Sequence, residues 1–486
     1  MKTGIIGAGI GGLATAVRLA AKGESVTVFE KNNQTGGKLS AFQLGDYRFD
    51  RGPSLFTMPQ YIDELFHLAG KNPKDYFQYE RLPNICNYFW EDGTRLQASA
   101  DKALFAKEVE SVLGVPAERV LQSLEDSASK YELTGKIFLE KSLHRWKTWW
   151  DTRVIKALLK IPQFDLFTTM NQVNKRMVKD PKMTQLLNRY ATYNGSNPYK
   201  APGLLTIIPH LEYEIGAFYP RGGMIAITKA VTQLAIDLGV TFHLGANVEK
   251  IVLKDNQVAG LQVNGEKMEF DQVVSNMDVF FTYEKLLPKK WHPKVFLNQE
   301  KSTSALIFYW GIRHHFEELD LHNILFSENY EKEFELLQNG EVSNDPTVYI
   351  NISSKYSPED APINSENWFT MINVPYNQGQ NWDEIINRSR QNIIEKVSRI
   401  LNCDLSNMIE VEEVLQPITI ESLTGSHLGA LYGTSSNNKM AAFLRHPNFS
   451  SKIKNLYFCG GSAHPGGGIP LCLQSAKIVE ELIYNA

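Results

Sequence analysis

Apolar positions along this chain change period several times, and each change marks a different element. Lys2 to Ile6 is a short, mostly apolar run that meets Gly7-Ala8-Gly9-Ile10-Gly11-Gly12 at once. Leu13, Ala14, Val17 and Leu19-Ala20-Ala21 continue at helical spacing, Gly23 stops them, and Ser25-Val26-Thr27-Val28-Phe29 reads as a second strand ending at Glu30. Between residues 101 and 200 helical spacing dominates, as in Leu104, Val109, Val112 and Leu113 and again in Val120, Leu121 and Leu124. His210 to Tyr219 alternates in part, which predicts a strand. It runs through Pro220-Arg221-Gly222-Gly223-Met224 into an apolar helix carrying Ile225, Ile227, Val231, Leu234 and Ala235. Val240 to Ile251 and Gln257 to Val263 read as strands. Strand-like runs fill much of the region from 286 to 440, such as Ala305 to Trp310, Thr347 to Ile350 and Trp368 to Ile372. An amphipathic helix there holds Ile385, Ile386, Ile393, Ile394, Val397 and Ile400, with Asp383 as its expected cap. Asn455 to Gly461 is a strand entering a turn, and His464-Pro465-Gly466-Gly467-Gly468-Ile469-Pro470 leads to a last helix, Leu473 to Leu482.

The opening order of strand, glycine turn, helix, strand and acid carries a physical meaning. Gly7 suits the tight turn, Gly9 lets backbone approach a pyrophosphate, and Gly12 lets the helix pack closely on the sheet. Amides at the helix start would face the phosphates, and Glu30 stands where a carboxylate accepts from an adenosine ribose. Gly36-Gly37-Lys38 would bring more backbone to the same dinucleotide, although taken alone the pair is equally an ordinary turn. A secretory leader is not expected, since the apolar stretch is interrupted by glycines and by Arg18.

With 486 residues, two or three domains are expected. A net charge of −4 argues against a general nucleic-acid binder, which needs a clustered cationic footprint. Cys86, Cys403, Cys459 and Cys472 form no CxxC pair, so neither a disulfide framework nor a metal site is expected, and a reducing cytoplasm fits. No apolar run of about 18 residues is present, so no bilayer-spanning helix is expected. One segment departs from the acidic balance. Lys141 to Lys160 holds Lys141, Arg145, Lys147, Arg153, Lys156 and Lys160 against Asp151, while Trp146, Trp149, Trp150, Val154, Ala157, Leu158 and Ile161 share one helical face. That pattern predicts a helix lying in a membrane interface, the alternative being a helix with its tryptophans in the core and a solvated basic side.

The motifs GAGIGGL, Glu30, Gly36-Gly37 and Phe49-Asp50-Arg51-Gly52-Pro53-Ser54 resemble the opening of the FAD-dependent amine oxidase and phytoene desaturase superfamily. Continued through Leu55-Phe56-Thr57-Met58-Pro59, the last is most similar to bacterial carotenoid desaturases, which usually carry a small or apolar residue where this chain has Arg51. Tyr219-Pro220-Arg221-Gly222-Gly223 resembles the family's FPRGG segment, and His464 to Pro470 resembles its C-terminal flavin segment. The resemblance implies an α/β (α+β multi-domain) chain. Its parts would be a Rossmann-like FAD domain of the amine oxidase/GDI type (1–75, 220–285, 445–486), a β-sheet substrate domain (76–100, 286–444) and a helical, membrane-facing subdomain (101–219). Gly7, Gly9, Ile10, Gly11, Gly12, Glu30, Lys31, Gly36, Gly37, Lys38, Gly52, Pro53, Ser54, Val248, Gly460, Gly461, Gly468 and Ile469 would surround FAD, Val248 through its backbone at the adenine.

The activity implied is desaturation of a long apolar carotenoid taken from a membrane surface, by hydride transfer to flavin N5 and loss of the neighbouring proton. The SLFTMP signature points to the 3,4 bond of a 1-hydroxylated acyclic end group, with phytoene desaturation next. Oxygen or a quinone would accept the electrons, and the protein would be cytoplasmic and peripherally membrane-bound. His464 and Glu212 are the candidate catalytic bases, each weighed against a structural role. Alternatives are a carotenoid isomerase, an amine or protoporphyrinogen oxidase, and a non-enzymatic prenyl-binding escort, which would not need the flavin segment at the C-terminal end.

Overall fold

β1 (Lys2–Ile6) and β2 (Ser25–Glu30) pair in parallel, Ile5 opposite Val28, with the helix α1 (Ile10–Ala21) as the crossover. The computed structural model describes residues 1–150, 154, 164–438 and 445–484, the side chains of 136–139 and 146–147 excepted. Three later segments complete a five-stranded parallel sheet, in the order Thr241–Leu244, β2, β1, Gln272–Ser275, Leu456–Phe458. The sheet is therefore assembled from the two ends of the chain and its middle. α1 is rich in small residues and buried from Ile10 to Leu19, which lets it pack closely against the C-terminal helix Ile469–Tyr484 and against Ile225–Asp237. Arg18, 2% exposed within α1, is held by Glu480 at 2.9 Å and Glu64 at 2.8 Å, so one buried cation ties three helices together. The last helix starts at Ile469, four residues before its apolar periodicity suggests.

A second sheet has seven strands, in the order Ile409–Leu415, Ser304–Ile312, Glu366–Val374, Val348–Ile352, His322–Leu325, Asn84–Phe89, Arg95–Ser99. Ser304–Ile312 is buried at every position, which explains its continuous apolar run in place of alternation. The helix Trp382–Leu401 places Ile393, Val397 and Leu401 in the core on this sheet. Its cap is Asn381, whose side chain accepts from the Glu384 amide, and not Asp383, which lies inside the first turn.

Between the sheets stand the helices Lys102–Leu113, Ala117–Glu140, Met170–Val178 and Pro181–Asn188. The strand expected over His210 to Tyr219 is a correction. Ile208–His210 is helical and Leu211–Ile215 continues as a wide turn, leaving only Ala217–Pro220 extended. Glu212 and Tyr213 are adjacent and both buried, at 1% and 2% exposure, Glu212 bonded to Arg189 and Tyr213 stacked on Phe105, so they do not follow the in-and-out alternation of a half-buried strand. Gly216, at φ +116°, then turns the chain into the strand.

Most of the helix expected at Trp146–Lys160 lies outside the described residues. The described part begins with a short 3-10 turn, Trp146–Trp150, in which Trp149 Nε1 donates to the Leu143 carbonyl and Trp150 is exposed. Among the described residues no helix is long and apolar enough to cross a membrane, and no group of His, Cys, Asp and Glu is arranged to hold a metal ion.

Candidate functional site

One cavity of about 1550 Å³ runs from the edge of the parallel sheet to the inner face of the seven-stranded sheet. That exceeds the roughly 300–1,000 Å³ of a single-ligand pocket, so a dinucleotide leaves room for a second molecule.

The dinucleotide half is built by the β1–α1 turn. Gly7 has φ +93° and donates its amide to the Phe29 carbonyl. Gly9 caps α1 without a side chain, so the first helix amides face the cavity. The Glu30 carboxylate is fixed by the Ala8 amide at 2.8 Å and the Asn32 amide at 2.9 Å, one on each oxygen, which leaves a lone pair on each for a hydroxyl. Gly36 donates to the Ala8 carbonyl at 2.8 Å, drawing the second glycine turn beside the first. Asn276 locks the region: a Cβ at Gly9, Gly11 or Gly460 would stand 2.8, 2.7 or 2.4 Å from its side chain. At Gly468 the reverse holds, because a Cβ there meets no protein atom within 4 Å and would project into open space on the cavity wall. An elongated cradle of backbone, a ribose-ready carboxylate and a far glycine wall fit an FAD.

Gly52, Pro53, Ser54 and Ile469 also line the wall. Lys38 donates Nζ to the Leu431 carbonyl at 2.7 Å, and burial lowers its pKa despite the opposing charges of Cys472 and Asp278. Arg51 also lines the cavity. Its guanidinium lies 4.2 Å over the Phe42 ring and 3.3 Å from Glu413, which places this family departure at the cavity wall.

The other half is mostly apolar, walled by Ile85, Leu205, Ile207, Leu211, Ile307, Ile324, Phe369 and Met371. It ends in a buried polar cluster. Arg189 Nη2 donates to Glu212 at 3.1 Å and to Tyr190 at 3.1 Å, Nε donates to Tyr88 at 2.8 Å and Nη1 to Tyr193 at 2.9 Å. Tyr190 and Tyr193 both donate to Glu212, the former at 2.6 Å. Burial raises the pKa of both phenols far above the usual range, so they stay protonated donors. Nearby, His322 Nδ1 lies 2.7 Å from the Tyr349 hydroxyl, which in turn bonds Ser54 Oγ at 2.8 Å.

Every residue nominated from the sequence lines this cavity except Gly12 and His464. Gly12 sits behind the turn, where a Cβ would stand 2.1 Å from the Gly7 carbonyl, so its role is packing. His464 stands elsewhere in the structure. It is 1% exposed, and its Nε2 lies 2.9 Å from the Lys141 carbonyl, off the cavity wall. With the Lys141 carbonyl as acceptor, Nε2 carries the ring proton there. Glu212 does line the cavity, and three donors hold it as a carboxylate, two on Oε2 and one on Oε1, which marks it as an anchored acceptor. The sequence patterns do not single out Arg189, Tyr193, His322 or Tyr349: the first two share the turn Arg189–Asn194, and only the fold brings it to the strands His322–Leu325 and Val348–Ile352.

Residues 10–479 match the family of flavin containing amine oxidoreductases. A 1-hydroxycarotenoid 3,4-desaturase from Flavobacterium sp. (strain P99-3) is 52% identical over 99% of this chain and 98% of its own. A 4,4'-diapolycopene oxygenase from Methylomonas sp. is 32% identical over 99% of this chain and 97% of its own. An oxidoreductase structure from Methanosarcina mazei superposes with a TM-score of 0.62 at 15% identity, over 100% of both chains, and shows the same fold.

Proposed function

The chain belongs to the flavin containing amine oxidoreductase family and is an FAD-dependent oxidoreductase, and from that premise we propose that it desaturates the 3,4 bond of a 1-hydroxylated acyclic carotenoid. The observation that carries this reading is the continuity of one cavity, which joins the dinucleotide cradle to a long apolar half ending in polar groups. Bound FAD supplies the hydride acceptor. The protein's own part is placement. Glu30 would accept from the adenosine ribose, the α1 amides would face the pyrophosphate, and the Val248 backbone would meet the adenine. Lys38, Gly52, Pro53, Ser54, Gly460, Gly461, Gly468 and Ile469 surround the flavin, and the apolar walls exclude water from the reacting bond. Ile307, Phe369 and Met371 stand on the seven-stranded sheet, a rigid support for holding a polyene beside the flavin.

A polyene is practically insoluble in water, so the substrate is taken from a bilayer and the protein docks on its surface. The basic segment Lys141 to Lys160 supports this, as do Trp150 and Phe167, 67% and 80% exposed on either side of the undescribed residues. Oxygen or a quinone would serve as the electron acceptor. The test is incubation of FAD-loaded protein with liposomes carrying a 1-hydroxylated acyclic carotene, with and without an acceptor. Each added conjugated double bond moves absorption to the red. An unshifted spectrum, with flavin that stays oxidised under anaerobic conditions, would reject the proposal.

A further inference from the structure

An ion pair at the end of an apolar cavity needs an explanation. Burying Arg189 and Glu212 is costly, and a hydrocarbon ligand gives no return for it. Hydrogen-bond capacity is left over at this end. Of the five N–H groups on Arg189, those bonded to Tyr88, Tyr190, Tyr193 and Glu212 are accounted for, and one on Nη1 has no partner among the described residues. Glu212 Oε1 accepts from Tyr193 and retains a lone pair.

His322 adds a second donor. The Asn351 side chain donates its Nδ2 to the Leu321 carbonyl at 3.0 Å, which fixes that amide's orientation, and the same Nδ2 lies 3.2 Å from His322 Nδ1. Nδ1 therefore accepts, and the ring proton sits on Nε2. Nε2 is buried with no hydrogen-bond partner among the described residues, on a ring that is 4% exposed and forms part of the cavity wall. Burial and the facing Arg189 charge push the imidazole down to about 3, so it is neutral under working conditions.

We infer that Arg189 and His322, with Glu212 as acceptor, form a subsite that takes the hydroxyl of the substrate's end group. The hydroxyl oxygen accepts from the remaining Arg189 N–H and from His322 Nε2–H, and the hydroxyl donates a hydrogen bond to Glu212 Oε1. The inference rests on the proposed substrate class and adds what reads it. It also gives a register. The chain Ser54–Tyr349–His322 connects the loop at the meeting of the two halves to the subsite through two hydrogen bonds, and in a 1-hydroxylated end group the 3,4 bond begins two carbon–carbon bonds from the hydroxyl carbon. Anchoring the hydroxyl here brings that bond, rather than one deeper in the polyene, beside the loop.

The test compares His322→Asn with His322→Gln in the FAD-loaded protein. Asn keeps a polar atom near the Nδ1 position without a donor at Nε2, whereas Gln returns a donor near Nε2. Dissociation constants are read from flavin absorbance in detergent micelles, for a 1-hydroxylated acyclic carotene and for its deoxy counterpart of equal conjugation. The wild-type protein is expected to prefer the hydroxylated ligand. In His322→Asn that preference should fall about tenfold, the size of one buried hydrogen bond, and His322→Gln should restore most of it. No preference in the wild type, or equal preference in all three proteins, overturns the subsite. A parallel loss in Asn and Gln also overturns it, since that marks a structural histidine. A preference that follows this order without any desaturation supports the subsite and defeats the proposed reaction alone.

Discussion

Glu212→Gln tests the buried polar cluster most directly. The carboxylate is 1% exposed, and it faces an Arg189 side chain that is 6% exposed. Removing its charge strands the guanidinium, and breaking such a buried pair costs about 3–5 kcal/mol. Two features place the cost near the lower end. The guanidinium keeps the hydroxyls of Tyr88, Tyr190 and Tyr193, and it lies over their rings at 5.2, 4.1 and 5.5 Å, so ring faces carry part of the charge. Against that, the new amide NH₂ must face Arg189 or a tyrosine donor, which adds an unsatisfied contact. The expected loss is about 3 kcal/mol, read as a shift in the guanidinium chloride unfolding curve of FAD-saturated protein by tryptophan fluorescence. Arg189→Met should cost a similar amount, and the double variant should cost less than the sum by roughly 2 kcal/mol, because neither ion is then left alone. A Glu212→Gln loss below about 0.5 kcal/mol, or costs that simply add, would show that the pair is not an electrostatic unit.

Gly12→Ala puts a Cβ 2.1 Å from the Gly7 carbonyl, so α1 must move away from the turn; a loss of about 1–3 kcal/mol and poor FAD retention are expected, and a fully flavinated variant with an unchanged melting temperature would count against the assignment. Glu30→Ala leaves the Ala8 and Asn32 amides without their acceptor and removes the proposed ribose contact, so reconstitution of apoprotein should show FAD affinity lowered roughly 10- to 100-fold. His446 and His322 are both held down at about 3 by burial, His446 donating from Nδ1 to the Pro447 carbonyl and accepting from Tyr283. The unfolded chain protonates them below about 6.5 and the folded chain does not, so stability is complete above that pH. It should fall by up to ~1.4 kcal/mol per pH unit per histidine as pH drops toward 3, and His446→Gln should flatten this slope in a pH series of melting curves. Replacing Arg145, Lys147, Arg153 and Lys156 with Glu should abolish co-sedimentation with anionic liposomes while flavin content is kept, since each cation near such a surface contributes on the order of 1 kcal/mol; wild-type sedimentation of that variant would remove the segment from the docking surface.

The β1–α1–β2 unit was legible because its determinants are local. The glycines, the small residues of α1 and the terminal Glu30 each act through neighbours within one turn or strand. The helix Trp382–Leu401 was legible for the same reason, since one buried stripe sets the period, whereas in Lys102–Leu113 the buried side is Phe105, Ala106 and Val109 and Leu104 is exposed. Short segments were not. His210 to Tyr219 alternates only in part, and its outcome depends on distant partners: Arg189, 23 residues upstream, holds Glu212 inside, and Tyr213 stacks on Phe105. The cap at Asn381 rather than Asp383 is a shift of two residues that apolar spacing does not resolve. Only the tertiary structure decided which titratable groups face the cavity. His464 stands in a motif and turns toward Lys141, while His322, Arg189 and Tyr349 stand in none and converge. The physical reason is range. Backbone conformation and amphipathic period are set by residues a few positions apart. The direction of a buried polar side chain is set by whichever distant donor or acceptor satisfies it, and that partner is named by packing, not by spacing.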